Sequence, residues 1–236
     1  MRKAWLIAWR EIRWEIWGDR GSFLRQGVFF LVPLLLILTS RGEAPGPRLD
    51  RTIILLAAQS ALLPAISGVA LIASTFSQEK ENGTLVPLLA APIRDLDIVV
   101  GKLVGMLVPM TLLSVATLAV AYLASIWTFG ARAVQHALTP ELLYALVVVS
   151  FFYVLSTGAW VLVVAARVRS SRAAQQLSGI LIAITLGAFA TAGAVAATLW
   201  DGWGLLALAA LIAVIDLVAL ELARRGWQRS EVIARL

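Results

Sequence analysis

Asp216 is the residue in this sequence whose chemistry is hardest to reconcile with its surroundings. It lies inside a long apolar segment near the C-terminus, between Leu205 and Leu222. If this segment crosses a bilayer, the carboxylate lies roughly 9 Å from the cytoplasmic end of the span. A carboxylate at such a position is costly unless it is paired or hydrated. It either lines a path across the membrane or binds a cation, or it carries a proton or pairs with an arginine such as Arg224 or Arg167.

Other residues that could do chemistry are few and scattered. The sequence has no cysteine and a single histidine, His136, which excludes thiol catalysis, zinc-thiolate sites and histidine clusters. It also has no Gly-x-x-x-x-Gly-Lys-Ser/Thr phosphate-binding loop. We therefore expect no catalytic residue, no metal site and no cofactor on this chain. An intramembrane enzyme would need several such residues clustered within its spans, and Asp216 alone does not supply them.

The segment 79–93 is the most informative polar stretch. An Asn-Gly turn signal precedes Thr84, which can cap a short helix. Pro87 is tolerated in a first helical turn and Pro92 disfavours continuation, so the pattern predicts a helix of about two turns. One side of this helix is apolar and needs burial, either against the protein's own spans or in a groove on a soluble partner. That side comprises Leu85, Leu88 and Leu89.

Six long apolar blocks must position these residues. The chain has 236 residues, of which 60% are hydrophobic and 14% are charged, whereas a soluble domain carries about 25% charged residues. A helix needs roughly 20 apolar residues to cross a bilayer core, and each block approaches that length. We predict an all-α integral membrane protein with one transmembrane domain over residues 1–236. The predicted spans are about 23–40, 53–75, 101–124, 142–166, 177–199 and 204–222.

Lysine and arginine are distributed unequally between the two sides of the membrane. Only four of the 20 Lys and Arg residues lie in the predicted outer connections, namely Arg41, Arg48, Arg51 and Arg132. The others lie at the termini and in the remaining connections, so the positive-inside rule places both termini in the cytoplasm. Topology thus accounts for the net charge of +6, and we expect no nucleic-acid binding. The predicted outer connections are short, at about 41–52, 126–141 and 200–203.

Residues 2–20 are predicted to form an amphipathic helix at the membrane interface. One face carries large apolar side chains at helical spacing, and another carries arginine. Tryptophan beside arginine suits the headgroup region of a bilayer. The alternative is an ordinary positively charged flank with helical tendency. The apolar face comprises Trp5, Trp9, Ile12 and Ile16, and the basic face Arg10 and Arg13.

A stripe of small residues at four-residue spacing marks the predicted fifth span. Such stripes allow helices to approach each other closely. We expect this one to contact another helix of the same subunit rather than to form a dimer seam. It comprises Gly179, Ala183, Gly187 and Thr191.

Several motifs resemble those of ABC-2-type ABC transporter permeases. The run Glu-Lys-Glu-Asn-Gly-Thr-Leu at 79–85 is similar to an acidic signature of that family, as are Leu-Leu-Ala-Ala-Pro at 88–92 and Gly-Lys-Leu at 101–103. The pair formed by Arg10 and Glu11 resembles an early Arg-Glu pair of the family. The cytoplasmic stretch 169–176 resembles its connection before the fifth span. Pro87 departs from many relatives and would shorten the helix by a turn.

The resemblance implies a mechanism and partners. Two permease subunits, identical or paralogous, would form a pore unit in a prokaryotic cytoplasmic (inner) membrane. Separate ATPase subunits, carrying ATP and Mg²⁺, would dock underneath and drive export. The short helix after the second span would be a coupling helix that enters a groove on the ATPase. The residues that the resemblance assigns to this coupling are Glu79, Glu81, Gly83, Thr84, Leu85, Leu88 and Leu89.

Two other functions fit the same number of spans. A heme-exporter-type permease of cytochrome c maturation has a similar size and a glycine-containing cytoplasmic motif, although the run at 79–85 is closer to the general family. An ATP-independent carrier or channel usually places several polar groups or broken helices at the membrane midplane, and such groups are sparse here. Dependence on an ATPase separates the permeases from the carrier. The mostly apolar spans favour a lipid, drug or other amphipathic cargo.

Overall fold

The described part of the chain is helical throughout, with turns between the helices. The computed structural model describes residues 2–17, 20–42, 46–81, 94–167, 173, 176–180, 183–187, 210, 212–218 and 221. The main helices are α1 (Arg2–Trp17), α2 (Arg20–Thr39), α3 (Pro47–Glu81), α4 (Asp95–Phe129), α5 (Ala131–Ala137) and α6 (Pro140–Arg167). Further helical segments cover 176–180, 183–187 and 212–218.

These helices coincide with the predicted spans. The helices α2, α3, α4 and α6 overlap the first four, and the later helical segments fall within the last two. Of the described residues, Asp97–Phe129 and Pro140–Val164 form helices long and apolar enough to cross a membrane, whereas Phe30–Thr39 and Gln176–Gly187 are apolar but shorter. The all-α prediction is therefore confirmed for the described residues, and the number of six spans stays a prediction.

The two longest of these helices, α3 and α4, pack against each other in antiparallel orientation. Each has 35 residues. Their length is about 52 Å, well beyond the roughly 30 Å of a hydrocarbon core. Small side chains in α3 permit the approach, since Ala57 and Ala61 are buried with Leu118 of α4. Because the helices are antiparallel and equally long, the last turn of α3 and the first turn of α4 lie at the same end.

A cluster of buried apolar residues closes the opposite end of the bundle, which we call the α5 end. Ile53 of α3 and Val134 of α5 are completely buried in this cluster, together with Leu118 of α4. The burial stabilises α5, which is too short to be stable as an isolated helix. The first turns of α6 complete the cluster with the partly buried side chains of Leu142, Leu143, Leu146 and Val147.

The connection between α4 and α6 differs from the loop predicted at 126–141. The helix α4 continues through Phe129 and ends at Gly130, whose φ of 89° and ψ of 149° suit glycine and few other residues. After α5, Thr139 precedes α6, and its hydroxyl accepts a hydrogen bond from the backbone N–H of Leu142 at 3.4 Å. Helix α4 therefore continues beyond the predicted end of the third span, and the short helix α5 lies within the predicted outer connection, where the apolar cluster of the α5 end covers both.

The first predicted outer connection, 41–52, is also shorter than expected. The helix α3 already begins at Pro47, because proline lacks the N–H that a first helical turn leaves unpaired and its fixed φ suits a helix. In the preceding turn, the guanidinium of Arg41 lies 4.5 Å from the ring centre of Trp127 near the end of α4. This cation–π contact ties the connection to the α5 end.

The small-residue stripe of the predicted fifth span does not make the expected contact within the described chain. Gly179, Ala183 and Gly187 are exposed. No described atom lies within 4 Å of the position that a Cβ would take at Gly179 or Gly187. Thr191 lies outside the described residues. The described residues of the stripe therefore belong to a face that the other described residues leave exposed.

Gly130→Ala is expected to lower the free energy of unfolding by about 1–3 kcal/mol, because alanine is strained at this positive φ. Tryptophan fluorescence during denaturant unfolding in detergent would measure the change. The control is Gln135→Ala, on the exposed side of α5, which should alter the free energy by no more than about 0.5 kcal/mol. Equal stability of Gly130→Ala and the parent protein would contradict the conformational requirement.

Candidate functional site

Asp216 lies on the 212–218 helix and is only 2% exposed. Both of its carboxylate oxygens are buried, and neither has a hydrogen-bond partner among the described residues. The carboxylate therefore faces the interior of the bundle without the direct partners that a buried charge normally has. Ile212, one helical turn earlier, is buried on the same side.

The helix α6 provides the polar surroundings of this carboxylate. The hydroxyl of Ser156 lies beside the carboxylate of Asp216. Tyr153, three residues earlier on α6, is completely buried and interacts with Thr185 of the 183–187 segment. Residues three apart share one helix face. The same face of α6 thus meets Asp216 and Thr185 at neighbouring turns.

Several other buried hydroxyl groups in the described bundle donate to carbonyl groups of their own helices. The Thr157 hydroxyl donates to the Tyr153 carbonyl at 2.6 Å, and the Ser150 hydroxyl donates to the Val147 carbonyl at 2.8 Å. The Ser60 hydroxyl on α3 donates to a carbonyl four residues earlier at 2.6 Å. Such hydroxyls are structural, since they occupy backbone acceptors and leave no group for a ligand.

The contact with Ser156 locates Asp216 along the bundle axis. Ser156 lies about 16 Å from the Arg167 end of α6 and about 24 Å from its Pro140 end. The carboxylate therefore lies beside the middle third of α6. At this depth a carboxylate has to be protonated, paired with a cation or hydrated. The pairing with Arg224 or Arg167 that the sequence left open concerns side chains outside the described residues.

A second group of polar residues lies at the α5 end. Nδ1 of His136 is 3.5 Å from Oδ2 of Asp50, and the histidine side chain is 80% exposed. These residues and Arg132 border an open cavity of about 700 Å³, together with apolar residues that include Leu49 and Phe129. Sequence reasoning missed the pair, because nothing in the local pattern around either residue indicates that α3 and α5 meet.

The helix α1 docks on the bundle through one face and exposes another. Ile7, Ala8 and Ile12 are buried, and the most extensive contact of α1 is with α4. Trp5 and Trp9 are more than half exposed, and their rings stack with centroids 6.3 Å apart. Ile12, at one edge of the predicted apolar face, is therefore covered by the bundle, whereas the tryptophans on the same face are exposed. The side chain of Ile16 lies outside the described residues.

The arginines of α1 belong to its exposed part, like the tryptophans. Arg10 and Arg13 are exposed, and Arg10 makes a further polar or ring contact. Glu11 lies in the middle of α1. The exposed tryptophans and arginines adjoin each other on the helix, and their location at a membrane interface stays a prediction.

The residues assigned to coupling lie only partly within the described chain. Glu79 and Glu81 belong to the last turn of α3. The predicted short helix lies outside the described residues, as do its assigned residues Gly83, Thr84, Leu85, Leu88 and Leu89. The flanking helix ends are described, and they lie at the same end of the antiparallel pair α3–α4. Segment 82–94 therefore begins and ends at that end of the bundle.

The comparisons with known proteins give one family. A model described as "ABC-2 family transporter protein" matches residues 25–184, which is more than half of the chain and runs from α2 to the 183–187 segment. α1 and the 212–218 helix lie outside the matched range. No curated protein matches the chain.

A double-mutant cycle on Tyr153→Phe and Thr185→Val would test the packing of α6 against the 183–187 segment. We expect a coupling energy of about 0.6 kcal/mol, and at most about 1.7 kcal/mol, because interhelical polar contacts in membranes are of this size. Denaturant unfolding in detergent measures it. The control cycle pairs Thr185→Val with Ser150→Ala, whose hydroxyl donates to its own helix, and should give no coupling. A coupling energy of zero between Tyr153→Phe and Thr185→Val would contradict the contact.

Proposed function

Because the chain belongs to the ABC-2 family of transporter proteins, which are membrane transport components, we propose that it is the permease subunit of an ATP-driven exporter. The family match over residues 25–184 is the observation that carries the proposal. The apolar helices of the bundle fit this role. In the proposed arrangement six spans cross a prokaryotic cytoplasmic membrane, and both termini are cytoplasmic.

The proposed coupling site lies at the end of the bundle where α3 ends and α4 begins. In this proposal Glu79 and Glu81 contribute acidic side chains from the last turn of α3. The short helix that follows enters a groove on the ATPase through its apolar side. The contact residues of the connecting segment are Gly83, Thr84, Leu85, Leu88 and Leu89.

The lengths of α3 and α4 support a mechanical role for this pair. Each helix exceeds the hydrocarbon thickness by about 20 Å, so the pair projects from the bilayer. Its remote end is packed into the α5 end through residues such as Ile53 and Leu118. A displacement of the connecting segment by the ATPase would therefore be carried along two packed helices to the α5 end. Interlocked helices transmit such movements because packed cores resist continuous deformation.

Hydrolysis in this proposal belongs to a separate chain. ATP and Mg²⁺ bind to the partner ATPase, since this sequence lacks a phosphate-binding loop. Nucleotide binding would close two ATPase subunits, and the closure would shift the permease between inward-open and outward-open forms.

A second permease subunit, identical or paralogous, completes the proposed pore. The open face that carries Gly179, Ala183 and Gly187 is suited to close contact with another helix. The neighbouring Ile180 and Ile184 are 57% and 64% exposed, so the same face is apolar. Asp216 and Thr185 meet the same face of α6, and this supports the proposal that Asp216 lies beside the translocation path.

Affinity purification from native membranes in mild detergent tests the proposal. We expect a soluble ATPase to copurify with the tagged chain, and we expect Leu85→Asp/Leu89→Asp to abolish its recovery, because two charges would enter the apolar contact. Gln135→Asp, which adds a charge at the opposite end of the bundle, is the control and should leave recovery unchanged.

Two results would contradict the proposal. Recovery of the chain without an ATPase, even after crosslinking through residues 79–93, would favour an ATP-independent carrier or channel. An ATPase that binds the double variant as well as the parent chain would reject the coupling helix while keeping the permease function. Bound heme in the purified complex would instead support the heme-exporter alternative.

A further inference from the structure

We propose that Asp216 is the counter-ion of an intramembrane site for a singly charged organic cation. The inference rests on the proposed transport function and deepens it, since it names the charge of the cargo. Its basis is the depth of the carboxylate, the missing partner groups and the composition of the surrounding spans.

The carboxylate is buried at a depth where water cannot easily neutralise it. Asp216 is 2% exposed, and its oxygens lack hydrogen-bond partners among the described residues. Its neighbour Ser156 lies about 16 Å from the nearer end of α6. An ionised carboxylate in such surroundings needs an opposite charge close by.

No described cation is a hydrogen-bond partner of the Asp216 carboxylate. The segments 52–78, 103–131, 142–166 and 173–200 contain no lysine, arginine or histidine. In the last predicted span, residues 202–215 also contain none. Lys102 is buried about two turns into α4 and makes an interaction of its own. Arg167 and Arg224 lie at the ends of their predicted spans. When Asp216 is ionised, a ligand would supply the opposite charge that the carboxylate needs.

The wall around Asp216 selects the kind of cation. Inorganic cations such as Ca²⁺ require 6–8 oxygen ligands and Mg²⁺ a complete octahedron, whereas the described surroundings offer one carboxylate and the Ser156 hydroxyl. The same face of α6 carries the ring of Tyr153, and Val154 and Ile212 are buried nearby on their helices. One negative charge within an apolar and aromatic wall suits an organic cation, whose apolar substituents replace the missing ligands.

The position of the helix also suits an amphipathic cargo. Val214, Ile215, Leu217 and Val218 are exposed, so the 212–218 helix borders lipid or the second subunit on its other sides. An amphipathic cation that partitions into the bilayer would reach Asp216 across a single helix. The cationic group would lose the least free energy on leaving water at this position, because the carboxylate would replace its hydration.

Binding of tetraphenylphosphonium is the test, with the chain and any copurified ATPase in zwitterionic phosphatidylcholine nanodiscs. We expect saturable binding by the parent protein and binding at least about tenfold weaker in Asp216→Asn, because a charged contact is lost. Asp216→Glu keeps the charge and should retain most of the affinity. Ser114→Ala removes a buried hydroxyl on α4 and serves as the matched control with parent affinity.

The neutral probe triphenylphosphine oxide distinguishes charge from apolar fit, and its binding should be equal in the parent protein and Asp216→Asn. Tryptophan fluorescence verifies that each variant is folded. Should Asp216→Asn not fold, Ser156→Ala should weaken phosphonium binding about two- to threefold. Parent-like phosphonium binding by Asp216→Asn, or no saturable binding by the parent protein, would overturn the proposal. Because binding does not require the ATPase, failure of this site is distinguishable from failure of the transport function.

Discussion

The antiparallel packing of α3 against α4 is the contact on which the other elements depend. α1 and α2 pack on α4, α5 packs on both helices, and α6 lies against both. Both helices are longer than a hydrocarbon core is thick, so they project beyond it on at least one side. Their common axis therefore connects the α5 end, where connections are short and packed, with the end that carries Glu79, Glu81 and Asp95.

The treatment of polar groups within this bundle follows one physical rule. A hydroxyl in an apolar helix can donate to a carbonyl of the preceding turn, and Ser60, Ser150 and Thr157 do so. An aspartate has no proton to donate when ionised and cannot use that solution. Asp216 therefore depends on other helices or on a ligand, and its contact with Ser156 makes α6 the helix to which its environment is linked.

The two ends of the bundle have different chemistry, which suits a protein that works across a membrane. At the α5 end, His136 contacts Asp50, and Arg41 covers the ring of Trp127. These contacts hold short connections in place over an apolar cluster. The helix α1 covers part of α4 and exposes Trp5 and Trp9. The proposed coupling segment would therefore lie at the end of the bundle where α3 ends and α4 begins, next to the ATPase. The proposed cation site would lie within the predicted last span. The α5 end holds the helices α3 and α4 together.

The sequence by itself determined the helical membrane class, the approximate helix positions and the family, because backbone groups in lipid must be satisfied within each helix and this requires long apolar blocks. It also identified Asp216 as unusual. Only the tertiary structure decided that α4 covers Ile12 but not Trp5 and Trp9, that Gly179 faces outward, and that Ser156 is the neighbour of Asp216. Lipid and protein interior are equally apolar, so periodicity cannot distinguish a side chain that meets lipid from one that meets another helix.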